Sequence, residues 1–215
     1  MTIVMDQEIL NTDLAASSAL TTLHWARQEF GDELCLLSSM QDAVLIDLAM
    51  QESPAIDVFF LDTGYHFAET LETLSMVEQR YGITVTVIGP PTTPRRDSLR
   101  SGECCDVKPS LLDEVLKDRR AWLTGARRAE ADTRAQLKLV STDRRNRTKI
   151  SPLAQWSDED VSQYIQTRNV ITNPLIDQGY PSIGCALCTT KPLQDQGPRS
   201  GRWGGTTRTE CGLHL

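Results

Sequence analysis

The sequence predicts an α/β fold, a parallel sheet with helices on both faces, and three observations lead there. Leu34–Leu37, Asp57–Leu61 and Thr84–Ile88 are short apolar runs that end in polar loops, as strands buried on both faces do. Between them, Ala43–Met50 and His66–Arg80 carry their apolar residues at helical spacing. The alternation itself, strand then helix then strand, requires right-handed crossovers that lay helices against a parallel sheet.

Each element follows from local chemistry. In His66–Arg80 the expected apolar stripe is Phe67, Leu71, Leu74, Met76 and Val77. Ala121–Thr124 and Gln136–Val140 are candidates for further strands. Ser157–Arg168 reads as a helix with Ser157 as N-cap and Asp158, Glu159 and Asp160 in its first turn, where acids suit the helix dipole. Gly89–Gly102, rich in Pro, Gly and Arg, predicts a loop or mobile segment. From Gly197 onward the chain is glycine-rich and reads as a flexible tail that carries arginines and a cysteine. No internal repeat is present.

With 215 residues, 40% of them hydrophobic, the chain is long enough for one good core. No apolar run approaches the roughly 20 residues that span a bilayer. The first residues, MTIVMDQEIL, lack the basic start and apolar stretch of a secretory signal, so a soluble, cytoplasmic protein is expected. The net charge of −7 is unevenly spread. Residues 1–94 hold only Arg27 and Arg80 as strong bases against fourteen acids, whereas residues 95–215 carry a net +5. That is either uneven surface chemistry or a second half that supplies cations to a small anionic ligand. Nucleic acid fits less well, because a pI near 5.0 opposes its long-range attraction.

Six cysteines stand at positions 35, 104, 105, 185, 188 and 211. Clustered cysteines in an intracellular protein point to metal or thiol chemistry more than to disulfides. Cys35, inside the apolar run ELCLLS, reads as a core residue. The pair Cys104–Cys105 and the pair Cys185 and Cys188 together offer four thiolates, each pair flanked by turn formers. Zinc holds its sulfurs at about 2.3 Å in a tetrahedron, which places them ~3.8 Å apart, and adjacent cysteines suit that poorly. A [4Fe–4S] cube spreads its thiolates farther. Both groups remain open at this point.

The turn Leu37-Ser-Ser-Met-Gln-Asp42 joins a strand to a helix start, where free N–H groups and the hydroxyls of Ser38 and Ser39 can meet an anion. An ordinary capped helix start is the competing reading. Leu61-Asp-Thr-Gly64 also lies at a strand's C-terminal end, the edge at which open α/β sheets bind ligands. In the tail, Arg199 and Arg202 flank Gly201, and Cys211 follows between Glu210 and His214. An exposed cysteine is a liability unless its reactivity is used, and neighbouring cations make a thiol nucleophilic.

Taken together, FLDTGYHFAET (60–70), ECC (103–105), AWLTGARR (121–128), KISPLAQWS (149–157), NPLIDQGYPSIGCALCT (173–189), RSGRW (199–203) and ECGLH (210–214) resemble the assimilatory adenylyl sulfate and phosphoadenylyl sulfate reductases, in their iron–sulfur form. The resemblance spans nearly the whole chain. It implies an adenine nucleotide α-hydrolase-like fold with residues 1–196 as the nucleotide-binding domain and 197–215 as a mobile tail carrying the catalytic cysteine. It implies Cys211 as nucleophile and Cys104, Cys105, Cys185 and Cys188 as ligands of a [4Fe–4S] cluster. It also implies Arg127, Arg199, Arg202 and His214 as substrate contacts, with Lys108 between cluster and substrate.

The implied reaction is attack of the Cys211 thiolate on the sulfate of adenylyl sulfate, release of AMP, and discharge of the S-sulfocysteine as sulfite by thioredoxin or glutaredoxin. The phosphorylated nucleotide, or both nucleotides, is an alternative substrate. A non-enzymatic or nucleotidylating relative with a structural zinc site is another possibility. The sequence is compatible with a monomer or a homo-oligomer.

Overall fold

A computed structural model describes residues 7–51, 56–90, 105–193, 197–204 and 206–213. Six strands form one sheet: β1 (Leu34–Ser38), β2 (Asp57–Leu61), β3 (Val85–Ile88), β4 (Ala121–Thr124), β5 (Val140–Thr142) and β6 (Thr148–Ile150). Their order is β3-β2-β1-β4-β6-β5, parallel throughout except for β5 against β6. Central β1 pairs Cys35 with Asp57 on one side and Trp122 on the other. Its LCLLS sequence is apolar because both faces of the strand are covered.

Helices α1 (Gln7–Ala15), α2 (Ala19–Phe30), α3 (Val44–Ala49), α4 (Ala68–Tyr81) and α6 (Asp158–Arg168) supply one apolar layer, with Leu23, Leu36, Ile46, Phe60 and Leu123 at its heart. On the other face α5 (Lys108–Val115) packs Leu111, Leu112 and Val115 against Cys35, Phe59 and Trp122. Trp122 is fully buried, its indole N–H donating to Asp143 at 3.0 Å.

The helix ends obey local rules. Ser18 caps α2 by accepting from the Thr21 N–H at 3.1 Å. Ser157 and Asp160 form a reciprocal capping box at α6, as its sequence predicts.

Three expectations need correction. The α4 face that meets the core is Thr70, Thr73, Leu74 and Val77, while Leu71 and Met76 stay about half exposed, at 45% and 47%. Threonine can occupy that face because its hydroxyl is satisfied locally: Thr73 donates to the Glu69 carbonyl at 2.6 Å, and Thr70 accepts from Asn173 at 3.1 Å. The strand expected at Gln136–Val140 begins only at Val140, since Leu137 closes a turn onto Arg134. The strand beside β4 is β6, whose central Lys149 hides its strand character; it lies buried with its ammonium 5.6 Å from the Trp122 ring centre. Helices α1, α2 and α5 were likewise not evident from periodicity. Of the loop expected at Gly89–Gly102, residues 91–102 lie outside the described residues.

Candidate functional site

The C-terminal ends of β1 and β4 open onto a cavity lined by Ser38, Ser39, Lys108, Arg127, Arg202 and Cys211, among others. The turn after β1 is shaped by its own side chains and by a distant segment. Ser38 accepts from the Met40 N–H at 3.2 Å, and Met40 takes a left-handed φ of 57°. Asn173 donates to the Met40 carbonyl at 3.2 Å, and the Ile183 N–H donates to the Gln41 side chain at 2.9 Å. The segment that carries Cys185 and Cys188 is thereby tied to the anion-facing turn.

Those two cysteines share a buried cluster with Cys105, Tyr65 and Trp203. Thr63 Oγ1 lies 3.1 Å from Cys185 Sγ, and the Trp203 indole N–H donates to Cys105 Sγ at 3.3 Å. Cys104 lies outside the described residues. Among the described residues no group of three His, Cys, Asp or Glu side chains is close enough to hold a metal ion. The four thiols are nonetheless the set that could hold one. An indole N–H donated to sulfur suits a thiolate, a soft ligand for iron or zinc. Lys108 is buried beside them. Burial works to lower its pKa, but the thiols of Cys185, Cys211 and Cys105 together outweigh this and hold the ammonium above its usual value.

The tail segment is bonded to the cysteine loop. The Thr190 N–H donates to the Gly201 carbonyl at 2.8 Å, and the Trp203 N–H to the Cys188 carbonyl at 2.8 Å. A Cβ on Gly201 would meet the Thr190 carbonyl oxygen at 2.0 Å, so glycine is required there, whereas one on Gly184 would meet the Arg202 guanidinium at 2.1 Å and displace that side chain. Arg199 and Arg202 lie over the Trp203 ring, at 5.1 and 4.6 Å from its centre. Arg202 donates to Ser182 at 3.1 Å. Arg199 donates to Glu210 at 3.1 Å, and burial, followed by repulsion from Arg134, lowers its pKa. The Nε of each arginine is buried without a hydrogen-bond partner. Two unpartnered guanidinium N–H groups beside a cavity are donors that await an acceptor.

The other expected residues fall in different places. Arg127 lines the cavity, but its guanidinium is engaged by the Trp156 carbonyl at 3.2 Å and by Asp158 at 2.7 Å. Ser39 faces the cavity beside Ser38. His214 lies outside the described residues. Cys35 is fully buried in the core, where desolvation raises its thiol to a pKa of about 12. It is a packing residue, as its apolar setting predicts.

Sequence reasoning missed Arg134, His66 and Trp203 as site residues. His66 lines the cavity and has Nε2 3.1 Å from the Leu61 carbonyl oxygen, while its Nδ1 is buried without a partner. Burial lowers its pKa, so the ring is neutral and offers a lone pair. Arg134 sits in a 3₁₀ turn (Asp132–Arg134) and reaches Glu210. The one available signal was a basic side chain in an otherwise unremarkable turn near the tandem arginines.

A mostly parallel sheet with a cavity at its strand ends, lined by Lys108, arginines and Cys211, defines an α/β protein of the adenine nucleotide α-hydrolase-like fold. The comparisons make the class specific. The model of the phosphoadenosine phosphosulfate reductase domain matches residues 33–191, and the chain belongs to that family. It is 46% identical over 214 residues to the adenosine 5'-phosphosulfate reductase of Mycolicibacterium smegmatis, covering 94% of this chain and 91% of that one. It is 45% identical over 215 residues to the enzyme of the same name from Streptomyces coelicolor, covering 94% and 90%. Among solved structures, the phosphoadenylyl-sulfate (PAPS) reductase from Candida auris superposes with a TM-score of 0.75 at 27% identity, over 88% of this chain and 100% of that one.

Proposed function

We propose that this protein reduces adenylyl sulfate to sulfite and AMP in assimilatory sulfate reduction, through a covalent intermediate on Cys211. The observation that carries this reading is the meeting of Cys211 with Lys108 and the guanidinium of Arg202 in one strand-end cavity. Relatives named adenosine 5'-phosphosulfate reductase, at 46% and 45% identity, set the substrate.

The Cys211 thiolate attacks the sulfate sulfur. The bond from that sulfur to the bridging oxygen breaks, its electron pair leaves on AMP, and an S-sulfonate remains on Cys211. A dithiol donor, thioredoxin or glutaredoxin, then attacks the Cys211 sulfur. The sulfur–sulfur bond to the sulfonate breaks, sulfite departs with the pair, and the donor's second thiol then attacks the resulting mixed disulfide, closing the donor's disulfide and releasing the Cys211 thiolate. Both electrons therefore come from the donor. Negative charge gathers on sulfate and phosphate oxygens during attack, and preorganised cations and N–H groups stabilise it. Lys108, Arg202, the free Arg199 Nε and the turn at Ser38 and Ser39 are suited to this task. The tail that carries Cys211 opens afterwards to admit the donor.

Cys104, Cys105, Cys185 and Cys188 are the ligands of a [4Fe–4S] cluster in this reading. Adjacent cysteines favour it over zinc, whose tetrahedron they suit poorly. When bound, the cluster supplies a covalent tie between two chain segments and a local field beneath the cavity. A chain with thiolate ligands and a thiol nucleophile belongs in the reducing cytoplasm.

The test is mass spectrometry of protein given adenylyl sulfate without reductant. One sulfonate on the peptide containing Cys211, discharged as sulfite by reduced thioredoxin, is expected. Cys211→Ser should lose turnover by about 10³-fold or more while binding nucleotide normally. An adduct on Cys35, or none with nucleotide bound, would overturn the mechanism. Repeating the assay with phosphoadenylyl sulfate distinguishes the two nucleotides.

A further inference from the structure

Glu210, the residue before Cys211, is held more completely than any group near it in the tail. Arg134 Nε donates to its Oε1 and Arg134 Nη2 to its Oε2, both at 2.8 Å. Thr133 Oγ1 adds a bond to Oε1 at 3.1 Å, and Arg199 Nη2 one to Oε2 at 3.1 Å. Each carboxylate oxygen thus has two donors. The pair is desolvated, with side-chain exposures of 9% for Arg134 and 3% for Glu210. Burial works to raise the Glu210 pKa, but the Arg134 hydrogen bonds and charge prevail and hold it below the usual range. The other charged tie nearby, Arg208 to Asp106, is far more exposed, at 36% and 58%.

The location gives the clamp a consequence beyond stability. One peptide unit, about 3.8 Å between Cα atoms, separates the clamped residue from the thiol, which leaves little slack. Arg134 and Cys211 both line the cavity. A bare carboxylate there would repel a sulfate, whereas Arg134 and Arg199 balance the charges of Glu210 and of Glu130, which also pairs with Arg134. By occupying Nη2 of Arg199, the carboxylate also orients that guanidinium.

We propose that Glu210 is a positioning residue for the reaction: gripped by Arg134, it seats Cys211 against the substrate cavity without touching the reacting atoms. The assignment rests on the reading of Cys211 as nucleophile. It predicts that the clamp controls the rate of attack far more than the affinity for nucleotide.

Single-turnover sulfonation of Cys211 by saturating adenylyl sulfate tests this, read on the peptide that follows cleavage at Arg208, together with nucleotide affinity and the rate at which iodoacetamide labels Cys211 in the absence of substrate. Glu210→Gln should slow sulfonation about 10- to 100-fold, the scale of a displacement near 1 Å. Nucleotide affinity should change less than about threefold, and labelling of Cys211 should rise severalfold as the thiol leaves its seat. Arg134→Ala should do the same, Arg134→Lys should recover only part because it lacks the fork, and the double variant should be no worse than either single. Unchanged sulfonation in Glu210→Gln, or a loss expressed wholly as weaker affinity, would overturn the proposal; that variant keeps the side chain's shape, so it decides even if Arg134→Ala fails to fold. Wild-type protein that forms no adduct would instead sink the nucleophile reading itself.

Discussion

The strand-end wall of the cavity and the tail wall are held by different forces. The strand-end wall rests on β1 and β4, whose residues Leu36 and Leu123 are fully buried in the main core. The turn at Ser38 and Ser39 inherits its position from that apolar packing. The tail wall, residues 197–213, contributes no strand or helix among the described residues. It is held by backbone bonds to the cysteine loop, by arginines over Trp203, and by the buried Glu210 clamp. Apolar packing is shared among many side chains, whereas a buried charge pair fails when one member is removed. The difference assigns the strand-end wall to apolar packing and the tail wall to polar and ionic ties.

Three experiments sharpen this contrast. The largest effect is expected where the tail meets the cysteine loop. Cys188→Ser should lose most bound iron and turnover together, because a hydroxyl lacks the thiolate's softness for iron. Visible absorption and metal analysis of anaerobically purified protein read this directly, and full iron occupancy would remove Cys188 from the ligand set.

An intermediate effect separates the two walls of the cavity. Arg202→Ala on the tail side should weaken nucleotide affinity about 10- to 100-fold, since hydrogen bonds to charged groups are each worth about 1.5–3 kcal/mol. Ser38→Ala on the strand side removes a neutral bond and should cost less than about tenfold. Calorimetric titration with adenylyl sulfate of both variants in a Cys211→Ser background, where the nucleotide binds without reacting, compares them; equal losses would show that the strand-end turn contributes as much as the arginine.

The smallest effect on activity lies in the sheet itself. Cys35 has a folded pKa of about 12 against an ordinary 9.0. Between these values the unfolded chain has lost the proton while the folded one keeps it, so stability falls as pH rises. The fall should reach up to roughly 4 kcal/mol by pH 12. Urea melts of wild type and Cys35→Ala across that window should show a shallower decline in the variant, with turnover at neutral pH little changed. Parallel declines would place the alkaline weakness elsewhere.

Much of this architecture was legible in advance. The runs around Cys35, Phe59 and Leu123 read as strands because a strand buried on both faces must be apolar throughout. Ser157 read as a cap because a hydroxyl residue there is followed by Asp158, Glu159 and Asp160, acids that suit a helix's first turn. Lys149 misled, since its polar character hides a strand whose ammonium is accommodated against the Trp122 ring. Pro109 read as a turn former, yet a proline in the first turn is compatible with α5 and lies there. The two threonines on the inner face of α4 were invisible to an apolar count because hydrogen bonds permit their burial, Thr73 to the Glu69 carbonyl within its helix and Thr70 from the distant Asn173.

By itself the sequence determined the fold class, the core role of Cys35, the cysteine pairs and the tail cysteine, because periodicity and residue chemistry are local properties. Which side chains meet was decided only by tertiary structure. Thr133 and Arg134 reach Glu210 across more than 70 positions, and Trp203 reaches Cys105 across nearly 100. Arg127 turns to Asp158, while Arg199 and Arg202 keep Nε unpartnered beside the cavity. Such pairings depend on the sheet order β3-β2-β1-β4-β6-β5 and on a close backbone approach that only a glycine at position 201 permits, and neither leaves a periodic trace along the chain.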